Sequence, residues 1–136
     1  MAAEPQPDPG SDPGDSHLKS YQELKVWKKS IDLVVEVYRL TKKYPPDERF
    51  GLTQQSRRAS VSVPSNIAEG YGRRDRGDYL RHLSIANGSL KEVETQIVIA
   101  GRLKFVTKAD VKECWSLLQQ VGRMLAALIA SLRRDK

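Results

Sequence analysis

Four stretches of this 136-residue chain repeat apolar side chains every three or four residues, and none alternates with period two. That spacing gathers apolar groups on one face of a helix and leaves no signal for half-buried strands. The first run is Leu24, Trp27, Ile31, Val34, Val35 and Tyr38, closed by "KKYPPDE". A weaker second run holds Leu52, Ala59, Val63, Ile67 and Tyr71. The third holds Tyr79, Leu83, Ala86, Leu90, Val93, Ile97 and Ala100, with Asp75 placed to cap its start and Asp78 three residues on. The fourth holds Val111, Trp115, Leu118, Leu125, Ile129 and Leu132, and Thr107 and Asp110 before it have capping-box spacing. Four helices joined by short connections predict an all-α fold, an antiparallel up-and-down four-helix bundle.

The stretch "VPSNIAEGYGRR" interrupts this regularity. Pro64 lacks an amide hydrogen and crowds the carbonyl of Ser60, so the second helix is expected to be kinked or divided there. Gly70 and Gly72 follow the last periodic residues, where a left-handed residue would close the helix at little steric cost. A phosphate loop is excluded, because no strand precedes Gly70, no lysine follows Gly72, and Asp75 and Asp78 occupy the next helix start. Ser62, Asn66 and Glu69 share a face at i, i+4 and i+7. With Ser89 and Arg81 of the third helix they form a candidate structural polar network, in which a buried Glu69 would need a partner.

Catalytic constellations are missing from the spacing. The two histidines are His17 and His82, no Glu-x-x-His pair occurs, and no nucleophile, histidine and acid arrangement can be read. No catalytic residue, metal ligand or cofactor is expected, and the chain reads as a non-enzyme. One cysteine, Cys114, excludes an internal disulfide and suits a reducing cytoplasm. The longest nearly apolar run, "MLAALIASL", is too short to span a bilayer, so no membrane partner is expected.

Residues 1–17 are acidic, rich in proline and glycine, and poor in large apolar groups, which predicts a disordered tail ahead of a bundle domain over 18–136. Four of the 17 acids lie in that tail, leaving 13 acids against all 23 lysines and arginines, a net of +10 on the body. Such a charge favours polyanions, and is equally compatible with a well-solvated helical surface. Between Lys43 and Lys91 there is no lysine, yet the interval holds Arg49, Arg57, Arg58, Arg73, Arg74, Arg76 and Arg81. Arginine's planar fork matches phosphate. Arg73, Arg74 and Arg76 are expected on an exposed loop, with Arg57, Arg58, Lys28 and Lys29 as further candidates for binding nucleic acid.

The fourth helix carries a second apolar stripe, Cys114, Leu117, Val121, Met124 and Leu128, which implies either a wide core face or an oligomer interface. Trp27 and Trp115 fall on periodic stripes and are expected in the core.

The segments "YQELKVWKKSIDLVVEVYRLTKKYP", "GLTQQSRRASVSVPSNIAEGYGR" and "YLRHLSIANGSLKEVETQI", with the closing apolar helix, strongly resemble the four-helix-bundle protein family encoded in intervening sequences of bacterial 23S rRNA genes. The similarity runs from Tyr21 to Leu132. It implies a closed homopentamer and no enzyme activity. A distant relative of that family is the accessory variability determinant of diversity-generating retroelements, a basic pentamer that binds nucleic acid and a reverse transcriptase. The expected function is therefore a non-enzymatic oligomeric bundle that binds RNA or DNA through a basic surface, as adaptor to a nucleic-acid enzyme such as a reverse transcriptase. The alternative is a protein-interaction or scaffolding module without nucleic-acid binding.

Overall fold

The computed structural model describes residues 20–134, so the acidic tail expected over residues 1–17 lies outside the described residues. A single 3-10 turn, Tyr21–Glu23, leads into helix α1, Lys25–Thr41. A second such turn, Pro46–Glu48, precedes α2, Leu52–Tyr71, followed by α3, Arg76–Arg102, and α4, Lys108–Arg134. Among the described residues there is no strand.

Each helix packs against its chain neighbours, and α1 closes the square on α4. The diagonal pairs have their backbones farther apart. Tyr38, late in α1, meets Arg57, early in α2, whereas Trp27, early in α1, lies in a groove with Ala68, late in α2. The two helices are thus antiparallel, and the up-and-down bundle stands as the sequence predicts.

The helix ends follow local chemistry. Asp75 caps α3 by accepting from the Asp78 amide at 3.0 Å. Thr107 and Asp110 form a reciprocal box at the start of α4, at 2.9 and 3.1 Å. Glu48 accepts from the Leu52 amide at 2.9 Å, placing a carboxylate at the positive end of α2. The α3–α4 turn uses Lys104 at φ 63°, with the Phe105 amide donating to the Ala100 carbonyl at 2.9 Å. That left-handed position is one usually filled by glycine.

Three details depart from the periodic reading. In α1 the buried stripe is Val26, Ser30, Leu33, Val37, Leu40 and Thr41, while Val35 is 52% exposed and Tyr38 also faces outward. The inward stripe holds two hydroxyl residues that a hydrophobic count discards. Ser30 satisfies itself by donating to the Trp27 carbonyl at 2.7 Å, and Thr41 does so to the Val37 carbonyl at 2.8 Å. In α4 the core seam is Cys114, Leu118, Val121 and Leu125, taken alternately from the two expected stripes because the seam lies between them. Trp115, expected in the core, is 36% exposed.

The third departure is at the end of α2, a helix that runs through Pro64 without the division that was one of the two outcomes expected there. Gly70 lies inside that helix and is buried; a Cβ there would stand 2.7 Å from the His82 Cβ and 3.0 Å from the Tyr79 ring. Its role is close approach of α2 to α3, and no left-handed closure occurs, since Gly72 has φ −75°. Small side chains earlier in α2 (Ser56, Ala59, Ser60) are buried as well.

Candidate nucleic-acid interface

The polar network forms only in part. Ser89 donates to Ser62 Oγ at 2.8 Å, and Asn66 Nδ2 donates to the same oxygen at 3.0 Å and to the Ser62 carbonyl at 2.9 Å. This triplet ties α2 to α3. Glu69 and Arg81 stay outside it. Arg81 lies 3.9 Å from Asp78, and Glu69 is 53% exposed, bonded to Arg73 at 3.0 Å and 3.5 Å from His82 Nε2. Glu69 is thus paired inside the protomer, with Arg73 and not with the candidate Arg81, and it is exposed: seven residues past Ser62, at the end of α2, the helix has run out to the solvent-facing corner of the bundle.

His82 is nearly fully buried, and its Nδ1 sits 2.9 Å from the Asp78 carbonyl. Nδ1 must therefore carry a hydrogen, so Nε2 donates toward Glu69 only in the imidazolium form. The hydrogen bond from Arg73, and then the charge of His82, hold the Glu69 carboxyl below its ordinary range. This corner binds its own charges.

The expected basic surface divides into two. At the α2–α3 corner, Arg73, Arg74 and Arg76 are all exposed, and Arg73 is engaged by Glu69. Arg74 and Arg76 have no carboxylate partner among the described residues. Lys28 and Lys29 are half-buried on the first turns of α1, at the same end of the bundle. At the opposite end of α2, Arg57 lies over the Tyr38 ring at 4.6 Å and donates to Thr41 Oγ1 at 2.9 Å. Arg58 is exposed with no ion pair among the described residues, and Arg49 stands over the Phe50 ring at 5.2 Å.

Two clefts open beside this second group. One, of about 550 Å³ between α2 and α3, is lined by Phe50, Gln54, Gln55, Arg58, Ala59, Ser62, Ser89, Glu92 and Gln96. The other, of about 370 Å³, shares Phe50, Gln54 and Arg58 and adds Tyr38, Arg49 and Arg57. Sequence reasoning passed over Phe50 and Gln96. The available signal was an aromatic lying off every periodic stripe, directly after an arginine, in the turn that precedes α2.

The expected interface stripe on α4 is also redistributed. Cys114 and Val121 are buried inside the protomer, at 1% and 0% exposure, so they are unavailable to a second subunit. Burial pushes the Cys114 thiol up to about 12, which makes it an inert core group. Leu117, Met124 and Leu128 are partly buried at the edge of the same core. Among the described residues no helix is long and apolar enough to cross a membrane.

No curated protein matches the chain. Among solved structures, it is similar to a protein of unknown function from the S23 ribosomal protein family of Bacteroides thetaiotaomicron, with a TM-score of 0.71 and 23% identity over 76% of this chain and 97% of that one. At that identity the likeness bears on the fold, and it agrees with the bundle described above. The model of the 23S rRNA-intervening sequence protein family matches residues 22–127, from the turn before α1 to the last turns of α4. With α1, α2, α3 and most of α4 inside the match, the chain belongs to the 23S rRNA-intervening sequence protein family.

Proposed function

We propose that this protein is a non-enzymatic, homo-oligomeric bundle that binds RNA or DNA mainly through backbone phosphates, and that it acts as adaptor to a nucleic-acid enzyme such as a reverse transcriptase. The observation that carries this reading is the set of guanidinium groups without a carboxylate partner among the described residues at both ends of α2: Arg49, Arg57 and Arg58 at one, Arg74 and Arg76 at the other. A surface that merely kept the protein soluble would intersperse both signs of charge. The net charge of the body and the family's association with ribosomal RNA genes point the same way.

Assembly into a closed ring, with five subunits as the resemblance implies, would repeat both clusters around an axis and multiply their phosphate contacts. The α4 residues placed to contribute are Leu117, Met124 and Leu128.

Titration of a labelled duplex against rising salt tests the binding. The logarithm of affinity should fall linearly with the logarithm of salt, by about 0.9 for each phosphate neutralised, with little difference between base sequences. Undetectable binding near about 50 mM salt removes the reading, because phosphate contacts are strong there. Light scattering on the same sample decides the assembly, and a monomer at micromolar concentration removes the oligomeric part.

A further inference from the structure

We infer that the cleft between α2 and α3 is a pocket for one unpaired base of a single-stranded nucleic acid, stacked on Phe50 and flanked by phosphates held by Arg49, Arg57 and Arg58. This deepens the proposed function and rests on it. Three independent features of the cleft converge on that ligand.

The first is a π face. Phe50 is 78% exposed, more than any other large apolar side chain described, and it borders both clefts. An apolar ring left in water at the mouth of two connected cavities lacks a packing role, and stacking a base would cover it. The Arg49 guanidinium at 5.2 Å already occupies the neighbourhood of one ring face as a cation does. A second exposed ring, Tyr38, lies beneath Arg57 in the adjoining cleft, so aromatic and guanidinium groups alternate along the path a strand would follow.

The second is an unmet polar atom inside the cleft. Gln96 lines it at 8% exposure, and its Oε1 is buried with no hydrogen-bond partner. A buried acceptor left bare is costly, and a turn of the Gln96 amide toward the cleft would let a ligand that donates to it recover that penalty. Glu92, on the same wall, is a second acceptor. Both therefore favour a base with an exocyclic amino group, adenine, cytosine or guanine, over uracil or thymine.

The third is charge. Arg58 lines this cleft, Arg49 and Arg57 line the adjoining one that shares Phe50 with it, and none of the three makes an ion pair among the described residues. Their fork geometry suits the phosphates on either side of a splayed base. A duplex hides its base faces in the stack and presents only edges, so the pocket discriminates for single strands.

Fluorescence anisotropy with labelled oligoadenylate and oligouridylate of about 12 nucleotides, a duplex of the same length, and AMP as a free-nucleotide competitor tests the assignment, the length being within the usual site size for such grooves. The expected order is oligoadenylate, then oligouridylate, then duplex, with AMP a weak competitor. Phe50→Ala should weaken single-strand binding about ten-fold, the loss that one base stack produces, and leave duplex binding unchanged within about two-fold. Phe50→Trp should restore it. Gln96→Leu should erase the preference for adenine over uracil more than it lowers overall affinity. Phe50 is exposed in a turn, so its variants probe binding without a folding penalty. Equal affinity for strands and duplex, with Phe50→Ala inert, overturns the pocket and leaves the phosphate-binding reading intact. AMP binding as tightly as the oligomer overturns it in favour of a free-nucleotide site. Absence of binding by every probe overturns both.

Discussion

Two arginine clusters stand at opposite ends of α2, separated by about 30 Å of helix. In sequence they look alike, three guanidiniums each within a short span. In the fold they keep different company. At the α2–α3 corner, Glu69 in the last turn of α2 pairs with Arg73 just past the helix end, and Asp75 and Asp78 open α3, so much of the positive charge is answered within the protein. At the other end Arg49, Arg57 and Arg58 meet aromatic rings, amides and two open cavities, and make no ion pair among the described residues although Glu92 lines the same cleft as Arg58. The difference teaches that a basic run becomes a candidate site through what surrounds it. Self-paired guanidiniums gain less from phosphate, because each contact must first break an existing one.

The largest effect should come from breaking the scaffold that both clusters share. Gly70→Ala adds a methyl 2.7 Å from the Cβ of His82, a group fixed to backbone that cannot swing aside. Helix propensity alone would favour alanine by about 1 kcal/mol. Overpacking should outweigh it and leave a net destabilisation of about 1 to 3 kcal/mol by chemical denaturation, with α2 pushed from α3 and both clusters displaced. A more stable Gly70→Ala would show that the two helices are not closely apposed there.

A sharper comparison removes each cluster separately. On a single-stranded probe, each lost phosphate contact lowers the salt slope by about 0.7, so replacing Arg49, Arg57 and Arg58 by alanine should lower it by about 2.1. Replacing Arg73, Arg74 and Arg76 should lower it by only about 1.4, since Arg73 is held by Glu69. Equal losses would dissolve the distinction between the ends of α2. A greater loss at the corner would reverse it, and would move the contact surface to the loop that the sequence emphasised.

What the sequence disclosed and withheld follows a physical division. Helix number, the caps at Asp75 and Thr107, the α3 stripe and the Ser62–Asn66 face were legible because they depend on residues close along the chain. The inward face of α1 was not, because Ser30 and Thr41 bury hydroxyls satisfied by their own helix, and a hydrophobic pattern counts them as polar. Gly70 could not be distinguished from a helix stop, since its constraint is the Cβ of His82 on another helix. The cleft was invisible for the same reason. Gln96 joins Phe50 only when α3 folds back along α2, a relation between residues 46 positions apart.

The smallest expected effect tests whether the corner answers its own charge. Glu69→Gln removes the carboxylate but keeps its shape, releasing Arg73 from the bond at 3.0 Å. If self-pairing restrains the corner, binding to the duplex should tighten slightly and the salt slope should steepen by less than the 0.9 of one full contact. The same substitution should cost a little stability, because Arg73 and His82 lose their partner. The sign with pH follows from the direction of the shift. Glu69 is held below its ordinary value of 4.5, so its contribution is present above that pH and is lost as pH falls through the lowered value. The stability gap between parent and Glu69→Gln should therefore close well below pH 4.5, and denaturation curves at neutral and acidic pH read it directly. A gap that persists in acid would mean that Glu69 supports the corner by packing. A variant that binds the duplex no better than the parent would mean that Arg73 was never held back, leaving the contrast between the clusters to rest on the aromatic rings alone.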